Sequence, residues 1–215
     1  MEIKNISLTF SLEQVCNDIL TKCYLVSKGL QDDAQKDIRA DIESPDATET
    51  QSIINRSITE AVGNLKIACQ RYLTVGRTTD NNNLERIIKG TKSWAYTENK
   101  GAGNWTETIT TFLYDGSDEI TETKTVAAPG ETKELLLYEE ITLNLAIPNW
   151  NIAVTDGLKS HMHRYIVDYV MSQFLSDQYP DAAGRYGESV TADYGNVQSD
   201  LLSRDHYTHR RPSWT

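Results

Sequence analysis

Few side chains in this sequence stand at spacings that do chemistry. His161 and His163 bracket Met162; two residues apart on a helix, they point to different sides and cannot share a metal ion. His161, Tyr165 and Asp168 lie near one helical face, a spacing that suits a hydrogen-bonded structural group better than a catalytic one. His206 and His209 sit in a terminal tail without carboxylates at ligand spacing. Glu139 and Glu140 are adjacent, so on a strand they face opposite sides and cannot act as an acid–base pair. Gly101 and Gly103 precede no helix and form no phosphate loop, and no serine occupies a nucleophile elbow. Cys16, Cys23 and Cys69 are an odd set without metal-ligand spacing; they read as small buried hydrophobes in a reducing compartment. An enzyme reading has no residue to rest on, and neither a metal nor a cofactor is expected.

Charge is more informative. The formal net charge of −10 opposes a non-specific grip on nucleic acid, which needs basic surface to displace counterions. Thr106 to Glu140 holds nine acidic and two basic residues. Asp115, Asp118, Glu119 and Glu122 lie in this stretch, read either as a solvated sheet face or as an acidic surface projecting toward a channel or partner. The opposite sign gathers at the end, where Arg204, His206, Tyr207, His209, Arg210, Arg211 and Trp214 form a basic, aromatic tail. Such a tail suits docking onto a neighbouring subunit, with Trp214 as anchor. No apolar run is long enough to cross a bilayer, and no signal peptide or membrane partner is expected.

The elements that position these groups are read from periodicity. The longest regular stretch is Ile152–Tyr179, where Leu158, Met162, Tyr165, Ile166, Tyr169, Val170 and Phe174 recur at helical spacing. At 1.5 Å per residue it predicts a helix of roughly 40 Å, stopped by Pro180. Val167 and Met171 lie off its stripe, so its apolar arc is wide and must be covered by the following segment or by another subunit. Ser11-Leu12-Glu13-Gln14 has the form of a capping box and opens a helix that ends near Gly29. A second long helix is expected over about Asp46–Tyr72. Glu2–Phe10 reads as a short extended arm. From Thr91 to Ile147 turn signals separate four strands: Thr91–Glu98, Trp105–Tyr114, Ile120–Ala127 and Lys133–Ala146. Asp181 to Asp205 looks helical but interrupted, because Gly184, Gly187 and Gly195 each cost up to about 1 kcal/mol against Ala. The expected fold class is therefore α+β: mainly a bundle of three to four helices (residues 1–90 and 148–215, with the C-terminal tail) carrying an antiparallel β insertion (91–147) between the second and third long helices.

Two helices, a β-rich insertion, a long third helix and a shorter fourth segment with an extended tail resemble the head–tail connector (adaptor) proteins of tailed bacteriophages. The likeness lies in the helical pattern of Ser11–Tyr72 and Asn151–Asp205. It implies a structural virion protein at the neck, made in the host cytoplasm, that forms a homo-oligomeric ring between portal and tail proteins. It also implies an extended DNA channel, with passing but not specific DNA contact and no catalytic residues. The alternative from another class is a cytoplasmic binding module whose β insertion holds a ligand or protein through Trp94, Tyr96, Trp105 and Tyr114. Those four aromatics would otherwise pack the insertion's own small core.

Overall fold

A computed structural model of the chain describes residues 3–30, 48–74, 87–114 and 119–203. Strand β1 (Ile3–Ser11) runs straight into helix α1 (Leu12–Gly29), and α2 (Thr48–Cys69) follows. Five strands come next: β2 (Ile88–Asn99), β3 (Asn104–Leu113), β4 (Ile120–Val126), β5 (Lys133–Tyr138) and β6 (Glu140–Pro148). A 3₁₀ turn at Ile152–Val154 precedes α3 (Thr155–Phe174), and α4 (Pro180–Leu202) closes the described chain.

Local chemistry sets these boundaries. Ser11 Oγ accepts from the Gln14 N–H (3.4 Å), so the capping residue is also the last residue of β1. Glu13 in the first turn and Lys28 in the last complement the helix dipole. The turn between β2 and β3 needs positive φ at Gly101 (90°) and Gly103 (66°), which glycine adopts freely. In the core, α3 packs along α4 and also against α2 and α1. Leu158, Met162, Ile166 and Val170 are wholly buried, and they meet Leu12, Val15 and Ile19 of α1 and Ile58, Ala61 and Leu65 of α2 in one cluster.

The expected helical bundle with a single β insertion is not what forms: the described chain has four α-helices and six strands in two separate antiparallel sheets. The N-terminal arm is a full strand, β1, paired with β6 in register from Ile3↔Pro148 to Ser11↔Glu140. Leu8 and Phe10 from β1, and Ile141, Leu143, Leu145 and Ile147 from β6, point inward. This two-stranded sheet is thus a wall of the helical core. Residues 72–74 extend it: the Ala146 N–H donates to the Tyr72 carbonyl (2.7 Å) and the Thr74 N–H to that of Asn144 (3.1 Å). The single strand expected over Lys133–Ala146 is two strands in different sheets. Glu139 divides them, donating its N–H to the Ile87 carbonyl (2.9 Å) and accepting from the Leu12 N–H (3.3 Å). The outer sheet accordingly spans Ile88–Tyr138, and Glu140–Pro148 belongs to the body.

Two expectations about the last helices also change. Pro180 starts α4 rather than merely ending α3, because the missing N–H costs nothing in a first turn. The long helix itself starts only at Thr155 and ends at Phe174, giving 20 residues, about 30 Å. The glycine-bearing segment is one continuous helix, held by burial of Ala182, Val197 and Leu201 against the core. Val167 and Met171 are covered within the single chain, with the Cys23 Sγ 3.8 Å from the Met171 Sδ.

Candidate functional site

The second sheet, in the order β4-β3-β2-β5, stands away from this core. Among the described residues it meets the body chiefly where β5 touches α1, where Tyr138 packs on the core, and through the backbone bonds at Glu139. Ile120–Thr125 of β4 and Lys133–Leu136 of β5 are exposed. Phe112, Tyr114, Ile120, Leu135 and Leu136 are exposed apolar side chains of this unit. Trp94, Tyr96 and Trp105 are half-buried, and the connection from β4 to β5 lies against the Tyr96 ring at Gly130.

Register assigns the side chains to two faces, since directly paired residues share a face. One face carries the row Lys124–Glu107–Tyr96. Glu107 is buried; it pairs with Lys124 Nζ (2.6 Å) and accepts from Tyr96 Oη (2.7 Å). Lys124 first, then Tyr96, holds the Glu107 carboxyl below its usual range. The same hydrogen bond pushes the Tyr96 phenol up. Beside this row, the Trp94 ring lies under two ammonium groups, Lys133 Nζ at 4.7 Å and Lys92 Nζ at 5.6 Å from its centroid. The opposite face is threonine: Thr125–Thr106–Thr97, Thr123–Thr108–Ala95 and Thr121–Thr110–Ser93 form three rows. Alternation of Thr106, Thr108 and Thr110 with Glu107 and Ile109, and of Thr121, Thr123 and Thr125 with Glu122 and Lys124, is visible in the sequence and marks these faces. The Tyr96–Glu107–Lys124 row itself is legible only once strand register is known.

Of the residues singled out from the sequence, Glu119 and Glu122 are exposed on and just before β4. Asp115 and Asp118, and the tail residues Arg204, His206, Tyr207, His209, Arg210, Arg211 and Trp214, lie outside the described residues. His161, Tyr165 and Asp168 do not form one group. His161 Nδ1 meets Asp200 Oδ2 of α4 at 2.7 Å, whereas Asp168 pairs with Lys22 of α1. His163 Nε2 meets Asp18 Oδ2 of α1 at 2.7 Å, and Arg164 donates to Asp193 Oδ1 of α4 at 2.8 Å. Polar side chains of α3 thus brace it on both flanks. Among the described residues no three His, Cys, Asp or Glu side chains gather to hold a metal, and no helix is long and apolar enough to cross a membrane. An open groove of about 340 Å³ lies between the end of α1 and the start of α4, floored by Val26, Tyr179 and Tyr186. None of its lining residues belongs to the outer sheet.

Comparison with protein-family models, with curated proteins and with solved structures returned no match.

Proposed function

We propose that this chain is a structural assembly subunit that completes its outer sheet against further copies of itself in a closed ring. One observation carries the reading. A four-stranded sheet whose outer strands, β4 and β5, are exposed and, among the described residues, unpaired along their outer edges buries too little to be its own end state. Long open edges are a liability in a monomer and are normally blunted or covered. Repeating one off-axis contact around a closed circle covers every such edge.

The connector resemblance supplies the setting: a neck ring between portal and tail, whose acidic surface lets DNA pass without adhering. The acidic stretch from Thr106 to Glu140 supports this setting, since it falls mostly on the exposed sheet. The test is particle size in solution, by mass photometry or electron microscopy, alone and with the portal protein of the same phage. A cyclic oligomer is the expected result. A monomer under both conditions overturns the reading.

A further inference from the structure

The two open edges of the outer sheet match each other. Because β4 runs antiparallel to β3, β3 to β2 and β2 to β5, β4 and β5 run in opposite directions. A copy placed beside the sheet in the same orientation therefore sets its β4 antiparallel to the first copy's β5. The alternation of the sheet then continues without a break.

The side chains at the two ends of each row agree with this. The row Glu122–Ile109–Trp94–Lys133 begins with a carboxylate at one edge and ends with an ammonium at the other. The row Ile120–Thr111–Lys92–Leu135 begins and ends with exposed apolar side chains, 54% and 48% exposed respectively. The row between them, on the other face, runs Thr121–Thr110–Ser93–Glu134. Extending the rows sideways by one copy sets Lys133 opposite Glu122 and Leu135 opposite Ile120. Both are favourable cross-strand pairs. The β4 edge also lacks the usual guards, whereas the β2–β5 pairing carries a register shift between Ile88 and Gly90. β4 contains no proline, its pairing with β3 has no register shift, and its one lysine, Lys124, is held on the sheet by Glu107.

We infer that β4 of one copy adds, antiparallel, to the β5 edge of the next, with Glu122 facing Lys133 and Ile120 facing Leu135 across the junction. This deepens the ring reading and rests on it. A two-fold dimer through β5 alone would leave β4 open and stop at two copies. The head-to-tail junction propagates.

Charge reversal tests the junction. Glu122→Lys alone and Lys133→Glu alone each put like charges opposite one another and should raise the concentration for half-assembly by roughly tenfold. The double variant E122K/K133E should restore it. A second measurement uses cysteines at the central row: T121C/E134C should yield a ladder of disulfide-linked oligomers on mild oxidation. Within one chain these positions are separated by three strand spacings, about 14 Å, too far to bridge. Rings that form equally well in all charge variants, with no covalent ladder, overturn the edge junction and leave the ring standing. A covalent product that ends at dimer also overturns it. A native chain that stays monomeric at every concentration and beside the portal overturns both.

Discussion

At the residue scale the molecule is set by how it handles charge and thiols in its interior. Asp168 on α3 is buried and is compensated by Lys22, whose amine also lies 5.3 Å from the Tyr186 ring. Removing one partner of such a pair leaves an uncompensated charge, whereas replacing both with apolar side chains removes the desolvation cost. Lys22→Met alone should therefore lower stability by about 3 kcal/mol, and adding Asp168→Leu should recover most of that loss. Equal loss in the single and double variants, by urea unfolding, would contradict the assignment. The thiols make a second prediction. Burial pushes Cys16 and Cys23 from 9.0 to about 11 and Cys69 to about 12. Tyr165, Tyr169 and Tyr186 are raised by burial too. Groups whose folded pKa is raised hold their protons more tightly in the folded state. Their contribution is complete below pH 9 and is lost as pH rises through about 11. The urea midpoint should hold level on approaching pH 9 from neutral and fall steadily above it. Folded chain at pH 8 should react with a thiol reagent about a hundredfold more slowly at Cys23 than unfolded chain does; equal rates would show the thiol to be accessible.

Individual elements separate what local chemistry specifies from what packing decides. Gly90 is a case of close approach: a Cβ there would stand 2.1 Å from the Phe112 carbonyl oxygen, next to the register shift between β2 and β5. Gly90→Ala should cost about 1–3 kcal/mol through overpacking. In α4 the situation is reversed. Gly187 and Gly195 have open space where a Cβ would go, so Gly187→Ala should add about 0.5–1 kcal/mol, read as a higher melting temperature. The same helix explains a misreading. Its glycines suggest an interruption, but the buried Ala182, Val197 and Leu201 anchor it on α3, and tertiary packing outweighs propensity. Elements with local signals were legible: the Ser11 cap of α1, the glycine turn between β2 and β3, and the apolar stripes of α1 to α3. The β1–β6 pairing was not, because it joins residues more than a hundred positions apart. Nor was the division at Glu139. Residues 137–141, Leu-Tyr-Glu-Glu-Ile, hold no glycine, proline or other turn residue, and only a change of hydrogen-bonding partner marks the break. The outer sheet's content of strands was readable, whereas the exposure of β4 and β5 was not, since alternation of Thr with Glu and Lys does not say which face, if either, is covered.

For the whole molecule, the body and the outer sheet are joined at one narrow place. The backbone leaves the body at Ile87 and returns at Glu139, and these two residues are hydrogen-bonded to each other at 2.9 Å. The chain on either side is thus already in hairpin contact, and a two- to four-residue Gly/Ser linker can replace Ile88–Tyr138 without separating the ends. Every wholly buried large side chain of the core, from Leu8 to Leu158, lies outside the excised segment. The shortened chain should therefore keep its helical circular dichroism and unfold in a single cooperative transition. It should also lose the capacity to assemble, because both candidate junction strands are gone. In the intact free chain the same division predicts that amides on β4 exchange with solvent through local opening while those of α3 exchange only on global unfolding. On assembly the β4 amides should become protected and those of α3 should not change. If the shortened chain is unfolded, the outer sheet is part of the stability of the body. If it is folded and still forms rings, the sheet is not the assembly surface. The two failures are distinct, and a circular dichroism melt together with one particle-size measurement tells them apart.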